Sequence, residues 1–294
     1  MPAATAQNFS GEPGQPMILS PTPLLERSHG AAHLRLARRC GLCVVADLAQ
    51  QGSAKVFLPR GDPANPEVVF LNTSGGMTSG DRLRLGLSLG DGVGATATTQ
   101  TAERAYKALQ GPADVRISAD VGANGWLHWL PQETILFEDG HLHRDTRIDL
   151  GQGARCLLGE IIVLGRRAMG ERPERARLQD SRMVRIQGRP VWAESLRLDA
   201  GILDLATAPA MLGANAAFAV LALVGQGAEA AAEVLRAIPV IPGVAFAVSG
   251  WNGRTIARLM APDLWPLKQQ LAQMLPGLSK HPLPRVWQMQ GLAA

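Results

Sequence analysis

Six carboxylates in the first 160 residues are the side chains of this sequence best suited to bind a metal ion or move a proton. Each lies in or beside a segment with strand-like patterning, and they are Asp81, Glu103, Glu133, Glu138, Asp139 and Glu160. Glu160 interrupts the apolar run 156–164, so it is either buried and paired or lines an internal polar space. Paired carboxylates also serve hydrolases, but no spacing here identifies an acid and base pair. A β-rich hydrolase that uses paired carboxylates therefore stays as the alternative function.

Thiols and imidazoles, the softer ligands that transition metals prefer, occur in two short pairs. Cys40 and Cys43 form a CxxC, but a structural zinc site needs four ligands, so buried or half-buried thiols are the simpler interpretation. His141 and His143 form an HxH that would share one face of a strand. This pair lacks its other ligands, so an exposed pair is again the simpler interpretation.

A glycine-rich loop spans residues 72–81 and ends on a carboxylate. The string from Gly75 to Gly80 has the GxxxxG spacing of a phosphate-binding loop, with Asn72 and Gly76 in the same loop. Asp81 stands where the phosphate-binding lysine belongs, and the residues that follow alternate like a strand rather than a helix. A carboxylate would repel phosphate at this position. The composition therefore predicts a tight connection between two antiparallel strands.

The composition favours a protein of a reducing compartment. Three cysteines cannot form a full disulfide framework, and the most apolar run, 216–224, is about half as long as a bilayer span. Residues 151–200 contain ten arginines against six acids but one aromatic residue, so the stacking platforms of nucleic-acid binders are lacking. We expect a cytoplasmic protein without nucleic-acid or membrane partners, whose basic stretch is a solvated face or docks an acidic protein.

The elements that position these groups are predicted to be mainly strands. Short alternating segments recur at intervals of roughly 8–12 residues up to about residue 205, which indicates a layered β architecture. Helix formers then appear at 228–238, and a second helix begins after its cap Asp263. We therefore expect a disordered tail over 1–19 and one domain over 20–294, with a β body to about 205 and a mixed α/β closing segment. No repeat of fixed period is evident.

Four long strings of this sequence together resemble one known family, the urease accessory protein D family. The strings occur in family order, and they are LNTSGGMTSGDRL (71–83), GATATTQTAERAYKA (94–108), WLPQETILFEDGHLHRDTRIDL (129–150) and VLGRRAMGE (163–171). The terminal PRVWQM is compatible with the same family. Cys40 and Cys43 belong to no motif of the family, so the resemblance gives them no metal site.

The resemblance implies a scaffold protein rather than an enzyme. Members of this family act in nickel delivery to apo-urease together with the F accessory protein and the nickel-carrying G GTPase. The implied fold consists of stacked, helically wound β-layers with a few helices, and a dimer within the accessory complex is left open. The implied cargo is nickel in transit, without an organic cofactor. Candidates to line its route or hold it transiently are the carboxylates within the matching strings, namely Asp81, Glu103, Glu133, Asp139 and Glu160.

Overall fold

The computed structural model describes residues 26–213, 215–279 and 281–288, and these residues are mostly strand. The predicted tail over 1–19 lies outside the described residues. The strands are β1 (His29–Arg39), β2 (Leu42–Gly52), β3 (Ala54–Phe57), β4 (Glu67–Asn72), β5 (Arg82–Leu89), β6 (Gly94–Thr99), β7 (Glu103–Ala105), β8 (Ala113–Val121), β9 (Trp126–Trp129), β10 (Thr134–Leu136), β11 (His141–Leu150), β12 (Arg155–Leu164), β13 (Arg177–Ile186), β14 (Arg189–Leu198), β15 (Ala217–Val224), β16 (Ala245–Trp251) and β17 (Arg254–Ala261).

The helices are short and lie mainly toward the C-terminus. The α-helices are α1 (Ala200–Asp204), α2 (Ala231–Arg236) and α3 (Leu264–Met274), and 3-10 turns cover Arg167–Met169, Ala228–Ala230, Leu275–Gly277 and Arg285–Trp287. Asp263 caps α3 as predicted, because its carboxylate accepts a hydrogen bond from Trp265 N at 3.2 Å. Among the described residues, no helix is both long and apolar enough to cross a membrane.

The chain winds between two stacked sheets. Within the described residues, sheet A has seven strands in the order β14-β13-β11-β8-β5-β1-β2, and sheet B has ten strands along β16-β17-β15-β12-β9-β6-β4-β3, with β10 and β7 added beside β12. The central strands of each sheet are parallel, and antiparallel strands form the edges. The mainly β, helically wound fold is therefore confirmed, with helices near the C-terminus.

This path of the chain corrects one prediction. The glycine loop does not join two antiparallel strands of a hairpin, because β4 belongs to sheet B and β5 to sheet A. The chain also contains a structural repeat, in which each coil consists of a strand of sheet B, a long loop, a strand of sheet A and a short turn. The long loops differ in length from coil to coil, which hides the period in the sequence.

The short turns stack on one another and explain the spacing of several glycines. Gly122 N donates to Leu89 O, and Gly151 N donates to Val121 O, both at 2.7 Å. A Cβ atom on Gly122 would lie 2.6 Å from the backbone of the preceding turn at Asp91. Only glycine fits this close backbone approach. The strings LGDGVG, VGANG and LGQGA mark the successive turns in the sequence.

The hydrophobic core has two parts, one on each face of sheet B. The first lies between the sheets and includes Leu34, Leu85 and Trp129. The second lies between sheet B and the C-terminal helices, and it includes Leu271 and Trp287. Sheet B is therefore covered on both faces, whereas the outer face of sheet A carries polar side chains. This arrangement explains why β15 is one of the most apolar segments of the chain.

Candidate functional site

The long loops gather at one edge of the coil, and most of the predicted site residues lie there. Each of these loops runs from sheet B to sheet A, and they cover residues 73–81, 100–112, 130–140 and 165–176. They bind one another through backbone and side chains: Met77 N donates to Arg104 O at 2.7 Å, and Thr78 Oγ1 donates to Lys107 O at 2.7 Å. The rings of Tyr106 and Phe137 pack 5.0 Å apart. The four strings that carry the resemblance thus meet in one place, which we call the long-loop edge.

Asp81 shapes the first of these loops. Its carboxylate is buried and accepts hydrogen bonds from Ser28 N and Thr78 N, both at 2.8 Å. A buried carboxylate satisfied in this way holds a loop in one conformation. Gly76 allows the loop to pack closely against Tyr106, because it adopts a φ of 150° and a Cβ atom there would lie 2.4 Å from the Tyr106 ring. The carboxylate of the predicted site residue Asp81 is therefore occupied by backbone donors that stabilise the loop.

Glu103 is held by one amide side chain and one backbone N–H group. Its carboxylate accepts from Asn72 Nδ2 at 3.1 Å and from Arg104 N at 3.2 Å. Burial raises the pKa of Glu103, and these two hydrogen bonds offset that effect in part. A cavity of about 30 Å³ adjoins the carboxylate and is lined also by Gly75 and Gln100. That volume holds about one water molecule.

Glu133 ties the long-loop edge to the C-terminal helix. Lys268 of α3 contacts the Glu133 carboxylate at 2.9 Å and Gln132 Oε1 at 2.6 Å. Both members of this ion pair have largely covered side chains. Glu103 N also donates to Glu133 O at 2.9 Å, so the two candidate carboxylates belong to adjacent backbone segments.

Asp139 belongs to a surface ion-pair cluster. It contacts Arg175 Nε at 2.8 Å and Lys107 Nζ at 3.1 Å. The hydrogen bonds from Arg175 and Lys107 lower the pKa of Asp139 to about 2. Glu138 beside it contacts Arg175 as well, at 2.8 Å. Asp139 has a positive φ of 58°, a conformation that aspartate tolerates better than most residues.

Glu160 lies away from the long-loop edge, in a buried ionic network between the sheets. Its carboxylate contacts Arg182 Nε at 2.6 Å and Arg144 at 3.1 Å, and it accepts from Trp129 Nε1 at 3.1 Å. Asp180 completes the network, 2.6 Å from Arg144 and 2.5 Å from Arg182. Burial by itself would raise the pKa of Glu160, but the two arginines hold it below its ordinary value.

Sequence reasoning missed three members of this network, Arg144, Asp180 and Arg182. A signal was present in the alternation of the strands. Arg144 has the same phase as the buried Leu142 and Ile148 of β11. Charges at inward positions of a strand have to be paired, so this phase predicts a buried ionic cluster.

The network borders an open cleft of about 480 Å³ between β14 and the antiparallel strands of sheet B. Its walls are mostly apolar and include Leu196, Phe218 and Leu259. Glu160 and Arg182 form part of its lining, although the Glu160 side chain itself is fully buried. From Arg182 the ion pairs continue outward through Glu194 to the exposed Arg258.

The five predicted carboxylates are therefore not assembled into one centre. Asp81, Glu103, Glu133 and Asp139 share the long-loop edge, and Glu160 lies in the core. Among residues 26–213, 215–279 and 281–288, no group of three or more His, Cys, Asp or Glu side chains is arranged to hold a metal ion. The three cysteines are free thiols, with Cys40 exposed at the β1-β2 turn.

The string GLSLG at 86–90 matches the GxSxG pattern of hydrolases, so the sequence-based view that the chain has no such motif is wrong. Ser88 Oγ lies 3.1 Å from His33 Nε2. The serine is in strand β5, however, and not at the sharp strand-to-helix turn that exposes such a nucleophile. The pattern therefore does not support a hydrolase.

Comparison with known proteins assigns nearly the whole chain to one family. The family model described as UreD urease accessory protein matches residues 28–288. The chain is 54% identical over 271 residues to urease accessory protein UreD of Cereibacter sphaeroides, covering 92% of this chain and 98% of that protein. The corresponding protein of Paracoccus denitrificans is 48% identical over 275 residues, covering 93% and 97%. The chain belongs to the UreD urease accessory protein family.

The match extends through the whole two-sheet body of this UreD family member and its C-terminal segment. A relative from Rhizobium leguminosarum, 39% identical over 265 residues, covers 90% of the chain and 96% of its own length. The family resemblance drawn from the four strings is thus confirmed.

Proposed function

We propose that this UreD family member is a cytoplasmic scaffold for urease maturation, which helps assemble the nickel metallocentre of apo-urease. On this proposal it acts in a complex with the F and G accessory proteins, has no catalytic activity of its own, and carries nickel only in transit. The name of the family supports a role with urease. The nickel cargo and the identity of the partners are parts of the proposal.

The observation that carries the proposal is the position of Glu160 at an open cleft. A carboxylate inside the molecule normally serves only to neutralise its partners, yet Glu160 lies between two arginines and also borders the cleft. A divalent cation that reached it would compete with the arginines for the same oxygen atoms. Oxygen ligands suit hard cations and hold nickel less firmly than thiolates, which favours transfer over storage.

The long-loop edge supports a second contact point for the cargo. Glu103 is held by an amide side chain and a backbone N–H group, and the cavity beside it admits a water-sized species. Asp81 is held by backbone donors, and Glu133 and Asp139 are held by ion pairs. Because Glu103 and Glu160 each line a cavity or cleft, we expect these two residues to affect nickel transfer directly, and the other three through the shape of the loops.

The part of the proposal that concerns protein partners is supported by the edge strand β2. It pairs on one side with β1, and Leu42, Val45 and Leu48 expose 56%, 49% and 39% of their surface. Asp47 is its only charged residue. Monomeric proteins usually protect such edge strands against pairing with charged residues or proline. An unprotected edge strand is therefore typical of a surface that another chain covers.

The test is the maturation of urease with single variants of this protein. Urease would be produced with Glu103→Ala, Glu160→Ala or the exposed control Asp120→Ala, and its nickel content and activity would be measured. Retention of the F and G proteins on the tagged chain would be measured in parallel. Low nickel with intact retention for Glu103→Ala or Glu160→Ala supports transfer through these residues. Fully active, nickel-replete urease in a strain lacking this chain would refute the proposal.

A further inference from the structure

The outer face of sheet A carries an open groove that runs across its strands. The groove has a volume of about 950 Å³, and residues of β2, β1, β5, β8 and β11 line it. These five strands are neighbours in the sheet. Because adjacent strands lie about 4.8 Å apart, the groove is roughly 19 Å long. An extended chain that rises about 3.3 Å per residue spans this length with about six residues.

The floor of the groove is a row of small side chains that face each other across the strands. Pairing of the strands places Ala49 beside His33, His33 beside Gly86, and Gly86 beside Ser118. A Cβ atom on Gly86 would lie 2.5 Å from His33 Cδ2, so the glycine leaves room for the imidazole. His33 Nε2 lies 3.1 Å from Ser88 Oγ, which holds the ring in place. The backbone of a bound chain could therefore approach the sheet closely along this row.

Three arginines line the groove. Arg84 of β5 lies directly opposite Arg116 of β8, and Arg147 belongs to the next strand, β11. Arg116 contacts Asp114 at 2.9 Å and Arg147 contacts Asp145 at 2.8 Å, yet the two arginine side chains remain 60% and 61% exposed. Like charges directly opposite each other on neighbouring strands destabilise a sheet. A bound anion that lies between Arg84 and Arg116 would relieve this repulsion.

The charges of the whole outer face favour an acidic peptide over a nucleic acid. The outward positions of β1, β5, β8, β11 and β13 include Arg35, Arg82, Arg84, Arg116, Arg147, Arg177 and Arg185, against Asp114, Asp120, Asp145 and Asp149. The planar fork of arginine matches a carboxylate in a bidentate manner. The interspersed aspartates would repel a continuous phosphate backbone, whereas a peptide can place its carboxylates against the arginines alone. These outward positions also lack the Phe, Tyr and Trp platforms on which bases stack.

We propose that this groove binds an extended acidic segment of a partner protein. Its carboxylates pair with Arg84 and Arg116 along one side and with Arg147 at the β11 end, while its backbone lies over the small floor residues. Pairs of this kind are exposed, so the binding is weak and depends on salt concentration. The proposal adds a docking surface to the protein and depends neither on the nickel cargo nor on Glu103 and Glu160.

Fluorescence anisotropy with the purified chain tests the groove. The probe is a fluorescein-labelled peptide of alternating glutamate and threonine, and the control peptide has glutamine in place of each glutamate. We expect Arg84→Gln and Arg116→Gln each to weaken binding of the probe about two- to fivefold, the effect of losing an exposed ion pair. Arg236→Gln on α2 is the matched control, since its side chain is 48% exposed and lies outside sheet A. It should leave the affinity unchanged.

A second pair of variants separates the groove from the general charge of the face. Ser118→Gln fills the floor of the groove without changing any charge, so it should weaken binding of the acidic probe. Ser195→Gln is its control, because Ser195 is exposed on the edge strand β14 and does not line the groove. Equal affinities of these two variants would contradict binding in the groove. Raising the NaCl concentration should weaken binding to the wild-type chain, since exposed ion pairs are screened by salt.

Several results would overturn the proposal. Equal affinities for the glutamate and glutamine peptides would exclude recognition of carboxylates, and an equal loss in Arg236→Gln would exclude this face as the site. Tighter binding of a single-stranded oligonucleotide of equal charge, weakened by the same variants, would assign the groove to nucleic acid instead. If Arg116→Gln also lowers the melting temperature through loss of its pair with Asp114, Arg84→Gln alone decides.

Discussion

Arg182 of sheet A donates through Nε to Glu160 of sheet B at 2.6 Å, deep between the two sheets. The same guanidinium contacts Asp180 beside it on β13 at 2.5 Å. Because each charge has a partner of opposite sign, the network tolerates burial, and its geometry fixes how one sheet lies on the other. The pair therefore joins the two sheets and also forms part of the wall of the cleft beside β14.

Removing Arg144 should destabilise the protein strongly. In Arg144→Met, Glu160 and Asp180 would share Arg182 alone, and buried charge would be left uncompensated. We expect a loss of about 3–5 kcal/mol in the free energy of unfolding, measured by urea titration. Arg147→Met, which breaks an exposed pair with Asp145, should change it by about 1 kcal/mol or less. Similar small losses in both variants would contradict the importance of the network.

Glu103→Gln should stabilise the protein at neutral pH. Burial raises the pKa of Glu103 above its value in the unfolded chain, so the folded protein binds this proton more tightly. The stabilisation that this tighter proton binding gives is fully present below the pKa of Glu103 in the unfolded chain. It is lost as the pH rises through the pKa of Glu103 in the folded protein. Urea titrations from pH 4 to 8 should therefore show the wild type losing more stability with rising pH than Glu103→Gln. Parallel curves would disprove this.

His128 should make the protein sensitive to mild acid. The pKa of His128 is lowered to about 3 in the folded state. Between this pH and the ordinary pKa of histidine, the unfolded chain therefore binds a proton that the folded protein does not bind. Stability should fall as pH decreases from 6.5 toward 3, with a contribution of up to about 1.4 kcal/mol per pH unit. His128→Gln should show a shallower decline in urea titrations at pH 6.5 and 5. An equally steep decline would argue against burial of this ring.

Gly122→Ala should disturb the stacking of the short turns. The new Cβ atom would lie 2.6 Å from the backbone at Asp91, so adjacent coils would have to separate. We expect a loss of about 3 kcal/mol in thermal or urea unfolding. Gly111→Ala is the control, because a Cβ atom there meets nothing within 4 Å and only its positive φ is strained. Its cost should be about 1–2 kcal/mol.

A charge on edge strand β2 should weaken the association with accessory proteins. Leu48→Lys places an ammonium group on an apolar edge that is 39% exposed at this position. We expect reduced co-purification of the F protein with an unchanged melting temperature, because an exposed edge contributes little to folding. Val234→Lys on α2, where the side chain is 46% exposed, is the matched control. Equal retention in both variants would place the partner elsewhere.

The sequence by itself determined the class of fold and the family. Alternation of period two identifies strands locally, since each side chain points to one face or the other whatever its neighbours are. Asp263 likewise marked the start of α3 through its capping chemistry. Strands β2 and β13 are harder to identify in this way, because β2 is mostly exposed and β13 carries the charged Asp180 and Arg182 at buried positions.

The tertiary structure alone decided which distant residues meet. Coils of unequal length bring Arg144, Glu160 and Asp180 together, and neither their spacing nor their types reveals the register of the sheets. The same applies to His128 and His281, which are separated by most of the second half of the chain and joined by packing of the C-terminal segment on sheet B. Local sequence patterns determine where strands and helices form. The packing of the two sheets and the C-terminal segment determines which side chains meet.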